Sequence, residues 1–186
     1  MNENLRQLVH LSSGLVFSAL ILVLDRATLL AILTAGIFAG FLIFDMLWRG
    51  IRVPVVSLFV DTMERREDLP GKGTFFYTGS ALFCLVFFDL SQVFVGVVAL
   101  SVLDSIATIA GLRFGRTRPF NRKSVEGTLA GAAAAAAILF FFLPLPFVLT
   151  VSALAGVAEH LSPLDDNLVI PPVVCLFLVL AGWPVV

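Results

Sequence analysis

Residues 104–131 read DSIATIAGLRFGRTRPFNRKSVEGTLAG. This stretch holds an acid inside an apolar run, then a short basic loop, then a helix start with Lys123, Ser124 and Glu126. Most of the remaining chain is apolar. Hydrophobic residues make up 59% of its 186 positions, and the mean hydropathy is +1.03. Soluble domains are about half apolar and do not collect those residues in uncharged runs of about 20. The expected fold class is therefore an all-α integral membrane protein, a single domain over residues 1–186 built as a polytopic bundle of about seven transmembrane helices. No strand-like alternation supports a membrane barrel, so helices must satisfy the backbone.

Cutting the apolar runs at charges and prolines predicts helices over 8–24, 27–48, 74–90, 93–112, 125–143, 147–161 and 168–183. The connection 51–72 mixes Val53, Val56 and Phe59 with Asp61, Glu64, Arg65 and Arg66. It is expected to form an amphipathic segment on the cytoplasmic membrane surface. Placing the N-terminus inside puts every Lys and Arg except Arg26 on the cytoplasmic side, so the expected orientation is N-in, C-out. The first apolar run is read as a membrane helix and not as a removable signal, because no small-residue cleavage site follows it. Cys84 and Cys175 each sit in an apolar run and read as buried hydrophobes. With no CxxC and no His/Cys cluster, a zinc site is not expected.

Asp104 is the sharpest clue. A carboxylate at mid-membrane costs about 2.5–3.5 kcal/mol on insertion scales, so it faces a cavity, a partner or an ion. Ser101, Ser105, Thr108 and Gly111 give the same helix a small, polar side. The next helix start, NRKSVEGT over 121–128, offers Asn121, Arg122 and Lys123 beside Ser124, a good N-cap. Amides at such a start, with bases next to them, suit an anion. Gly115 and Gly127 would let backbone come close to a ligand. Glu126 reads either as a capping acid or as a magnesium ligand, since Mg²⁺ takes hard oxygens and bridges to phosphates.

A third group is Glu159 with Asp165, Asp166 and Asn167, on the membrane side expected for Asp104 and Glu126. Asp165, Asp166 and Asn167 also read as a turn with N-cap function. Carboxylates and bases at one depth suit metal-assisted phosphoryl chemistry. Arg6 and His10, four apart, share a face at the same interface, and their plain reading is a positive-inside anchor and an interfacial histidine. The run 71–74, GKGT, does not meet the phosphate-loop pattern, because position 66 is Arg and Gly73 follows Lys72. It remains a basic hinge within reach of a phosphate or a lipid head group.

Asp104, Ala107, Gly111, Phe114-Gly115 and Lys123-Ser124-Val125-Glu126-Gly127 resemble the CTP-using membrane enzymes of the phosphatidate cytidylyltransferase superfamily. Within it the chain is most similar to the dolichol kinase, phytol kinase and CTP-dependent diacylglycerol kinase branch. Arg6 and His10 match that branch's opening R-K-x-x-H pattern, with Gln7 at the Lys position, and 64–79 and 159–171 are similar as well. The resemblance implies phosphate transfer from CTP to a membrane lipid alcohol with a divalent cation, Mg²⁺ or another. The catalytic candidates are Asp104, Glu159 and Asp166, and the metal candidates Asp104, Glu126 and Asp166. Arg6, Lys72, Gly111, Gly115, Asn121, Arg122, Lys123, Ser124 and Gly127 are the nucleotide- and phosphate-binding candidates. A longer acidic ending with a P-G-H-G-G…D-R stretch, typical of cytidylyltransferases, is absent, which favours a kinase. The rival readings are a CDP-lipid synthase and a small transporter with Asp104 as a relay.

Overall fold

A computed structural model describes residues 3–51, 53, 54, 56, 71–119 and 123–183. The described residues form seven α-helices and no strand: α1 (Glu3–Val23), α2 (Arg26–Trp48), α3 (Lys72–Phe87), α4 (Leu90–Phe114), α5 (Val125–Leu139), α6 (Leu145–Leu161) and α7 (Asp166–Leu180). The all-helical expectation holds. Most of the expected amphipathic segment 51–72 lies outside the described residues, as do Asn121 and Arg122.

Three helices, α1, α2 and α4, are long and apolar enough to cross a membrane. Seven such helices were expected, and the rest fall short in length. Helices α5 and α7 have 15 residues each, α3 has 16 and α6 has 17. At 1.5 Å per residue, 15 residues rise about 22 Å, less than the roughly 30 Å of a bilayer core.

Local chemistry sets the ends. Asp25 caps α2 by accepting from Thr28 N at 3.0 Å, and Ser124 caps α5 by accepting from Gly127 N at 3.1 Å. Leu90 was expected to end the third helix, yet it begins α4. The reason is a reciprocal cap in which Asp89 N donates to Gln92 Oε1 at 3.2 Å. Helix α5 stops at Leu139, before the Phe140–Leu143 turn that the expected helix included. Within α7, Pro172 has no N–H to give Leu168 O, and the Ser80 hydroxyl of α3 donates to that carbonyl at 3.4 Å.

Helix α4 is the axis of the bundle. It packs against α1, α3, α5, α6 and α7, and every residue from Gln92 to Leu103 is buried. An element apolar on all sides belongs in such a position. Helix α2 is the opposite case. It rests mainly on α3, with only Leu29 and Leu33 buried, and exposes Phe38, Phe41 and Leu42. Apolar surface of that kind suits contact with lipid. Cys84 and Cys175 are free and fully buried, as the apolar runs around them require.

The seam between α4 and α5 is backbone-close, and it is made of glycines. A Cβ on Gly131 would lie 2.5 Å from Leu103 O, and one on Gly127 would lie 2.5 Å from Ala107 O. The spacing of Gly127 and Gly131 thus serves packing inside one chain. On the other side of α4, a Cβ on Gly14 of α1 would lie 1.9 Å from Ser101 Oγ.

Candidate functional site

The ionisable groups of six separate segments meet at one end of this bundle. Lys123 stands just ahead of α5, between the end of α6 and the start of α7. Its Nζ donates to Asp166 Oδ1 at 2.5 Å, to Asp166 Oδ2 at 2.7 Å and to the Glu159 carbonyl at 2.5 Å. Glu159 Oε1 lies 3.6 Å away. Glu159 is buried, and its other oxygen accepts from the Thr128 hydroxyl at 2.7 Å. Thr128 Oγ1 also lies 3.1 Å from His160 Nδ1.

Asp104 occupies the α4 side of the same region. Its Oδ2 is 3.5 Å from His10 Nε2 of α1, a buried nitrogen that makes no hydrogen bond. The His10 ring meets Tyr77 of α3 edge-on, with centroids 5.8 Å apart. Asp166 stands ahead of the apolar run that begins at Leu168. Glu159 and Asp166 thus share the Lys123 ammonium, and Asp104 stands beside His10.

The start of α3 joins the group. A Cβ on Gly73 would lie 3.8 Å from Asn167 Nδ2, and Asn167 Oδ1 is buried without a hydrogen bond. Lys72 lies over the Phe76 ring at 5.7 Å. Asp165 caps α7, accepting from Asn167 N at 3.2 Å and from its side chain at 2.9 Å, which is the turn reading of that acid. Arg6 stays within its own helix, paired with Glu3.

The start of α5 is arranged differently from a bare anion site. Val125 N donates to Thr117 O at 3.0 Å, and Gly127 N donates to Ser124 Oγ. Ser124 is buried, and its hydroxyl fills the space beside Gly111 and Gly115, where a Cβ would come within 2.8 and 2.6 Å of it. Gly111, Gly115 and Gly127 thus lie against Ser124 and the facing helix. Glu126 is turned to the loop 115–119. Its carboxylate accepts from Arg116 N at 3.1 Å and from Thr117 N at 3.1 and 3.2 Å.

Among the described residues, no three His, Cys, Asp or Glu side chains are grouped closely enough to hold a metal by themselves. Mg²⁺ is usually held by one or two carboxylates together with substrate phosphates and water. Asp104, which stands beside His10, and the unbonded oxygen of Asn167 fit that pattern, whereas Asp166 is already held by the Lys123 ammonium.

Sequence reasoning brought Asp104, Lys123, Glu159 and Asp166 to this place. It did not single out Tyr77, Thr128 or His160, and it named Gln7 only as the residue at the Lys position of the R-K-x-x-H pattern. Gln7 is buried, donating to Glu3 at 3.2 Å while its own carbonyl oxygen has no hydrogen bond. A signal was present in the composition: both histidines of the chain and its single tyrosine lie in this cluster.

The chain is similar to the uncharacterized protein MJ1137 of Methanocaldococcus jannaschii, with 29% identity over 181 residues that cover 96% of this chain and 93% of the other. No family model matches the chain. No solved structure matches it.

Proposed function

We propose that this protein is a membrane-embedded CTP-dependent lipid kinase of the dolichol kinase, phytol kinase and diacylglycerol kinase branch. It transfers the terminal phosphate of CTP to a lipid alcohol such as a polyprenol, phytol or diacylglycerol. The observation that carries this reading is the convergence of Asp104, His10, Lys123, Glu159 and Asp166 at one end of an apolar bundle. Carboxylates to hold a cation and an ammonium to hold phosphates are what phosphoryl transfer needs, because the work is positioning and charge neutralisation. A transporter relay has no use for the basic start of α5.

In this reading all seven helices cross the membrane, N-terminus inside and C-terminus outside, with the site at the cytoplasmic face. The apolar turn after α5, with Phe140 and Phe141 exposed, extends that helix's reach by about a turn. A water-soluble nucleotide and a bilayer-soluble alcohol can meet only at such an interface. A groove along α1, lined by Leu8, Val9, Val16, Phe17 and Leu20 with Ser12 and Ser13, would give the lipid a path.

Asp104 and Asp166 would hold a divalent cation, which neutralises phosphate charge when bound. Lys123 leaves Asp166 to contact the phosphates, with Lys72 and Arg6 as secondary contacts. The lipid hydroxyl oxygen bonds to the terminal phosphorus, the bond from that phosphorus to the bridging oxygen breaks, and CDP departs. The hydroxyl proton passes to Asp104, Glu159 or Asp166. Asp104 carries the fewest bonds of the three in the free protein, which favours it.

The test is purified full-length protein with labelled CTP, Mg²⁺ and a panel of lipid alcohols. Release of CDP with a phosphorylated lipid supports the proposal. Release of pyrophosphate assigns a CDP-lipid synthase and refutes it.

A further inference from the structure

We propose that Glu126 is a positioning residue for the nucleotide: it fixes the loop 115–119 so that Arg116 is presented to the phosphate tail. This rests on the proposed CTP-binding function and gives Glu126 a role other than metal ligand. Its two oxygens accept from two successive amides, Arg116 N at 3.1 Å and Thr117 N at 3.1 and 3.2 Å. A carboxylate is the side chain able to take both, since it accepts with two oxygens and donates with none. The loop is tied down at two further points. Thr117 O accepts from Val125 N at 3.0 Å, and Arg118 Nη2 donates to Gly111 O at 2.8 Å.

Three ties on five residues, all to the start of α5 or the end of α4, are more than a connection needs. They hold a loop that carries exposed basic side chains, Arg116 among them, next to Ser124 and ending four residues ahead of Lys123. Arginine binds phosphate oxygens through a planar fork, so its value depends on being held at a fixed angle. Nothing in the loop's own sequence fixes that angle except Pro119. Glu126 supplies the constraint from outside, nine and ten residues away.

The substitution Glu126→Gln tests this. Glutamine has one acceptor oxygen, and its amide group would face an N–H donor. Full-length protein in nanodiscs is titrated with CTP calorimetrically, CDP release is assayed, and Mn²⁺ binding is followed by electron paramagnetic resonance. The expected result is a CTP dissociation constant and KM raised about tenfold, with kcat within twofold and Mn²⁺ affinity unchanged. Amide exchange at residues 116 and 117 should quicken. Arg116→Ala, an exposed position that keeps the fold, should raise KM by a similar factor, and the double variant should be no worse than the poorer single one. A fall in Mn²⁺ affinity in Glu126→Gln overturns the proposal in favour of metal ligation. It is also overturned by an unchanged CTP affinity in Arg116→Ala, or by wild-type protein that does not bind CTP. If CTP binds as described but no lipid alcohol is phosphorylated, the kinase reading fails while the role of Glu126 stands.

Discussion

Replacing Lys123 by Met removes the ammonium that joins the starts of α5 and α7 to the end of α6. The lost bonds are those to both Asp166 oxygens, at 2.5 and 2.7 Å, and to the Glu159 carbonyl at 2.5 Å. Removing one partner of a buried ion pair costs about 3–5 kcal/mol, because the other charge is left without compensation. Lys123 keeps 23% of its side chain exposed and Asp166 13%, so the low end applies, about 3 kcal/mol. Asp166→Asn removes a charge but leaves an oxygen that can still accept, and is expected to cost about 2 kcal/mol. In the double variant neither charge is stranded, and the expected loss stays near 3 kcal/mol, a coupling of about 2 kcal/mol. Unfolding of full-length protein in mixed micelles, with the detergent ratio as denaturant and circular dichroism as readout, measures all three. Losses that add to within about 0.5 kcal/mol would refute the contact as an energetic unit.

Three other outcomes follow from the same geometry. Gly131→Ala puts a methyl 2.5 Å from Leu103 O and should destabilise by about 1–3 kcal/mol. Gly36→Ala on α2, with nothing within 4 Å, should be neutral or stabilising by up to about 1 kcal/mol, and equal effects in the same unfolding assay would refute the seam. Asp104→Asn should lower CDP release at least about a hundredfold in folded protein, a loss of roughly 2.7 kcal/mol in transition-state stabilisation; retained activity sinks its assigned role. Lys123→Met should bind Mn²⁺ alone about tenfold more tightly, about 1.4 kcal/mol, because the ammonium no longer competes for Asp166. Weaker Mn²⁺ binding measured by paramagnetic resonance would mean that Lys123 builds the cation seat and does not compete for it.

Much of this was legible because charge is scarce in the chain. An ionisable group in apolar surroundings is costly, so Asp104, Lys123, Glu159 and Asp166 each stood out against their neighbours, and their alternating connections put them on one side. Helix existence was legible for the same reason, whereas helix ends were not. Asp89 read as the tail of one apolar run, but its reciprocal cap with Gln92 makes it the start of the next. The glycines were ambiguous in kind. A missing side chain permits a ligand or a neighbouring helix to approach, and only the rotation of α5 against α4 decides between them. Glu126 was equally open, since its acceptors lie in a loop whose path depends on long-range packing. Tyr77 was hidden because it is a single polar group on a face that otherwise reads as core.

The glycine seam and the charged cluster are parts of one arrangement. With no side chain at Gly127 and Gly131, α5 lies directly on the Ala107 and Leu103 carbonyls of α4. That contact places the start of α5 one short loop from the end of α4 and brings the Ser124 hydroxyl against Gly111 and Gly115. Lys123 immediately precedes that start, so its reach to Asp166 and Glu159 is set by where the seam holds α5. Helices α6 and α7 then complete the group from the other side, one by its last turn and one by its first. Small residues along α4 and α5 are therefore a requirement of the charge geometry: widening the seam moves the ammonium that Asp166 and Glu159 share.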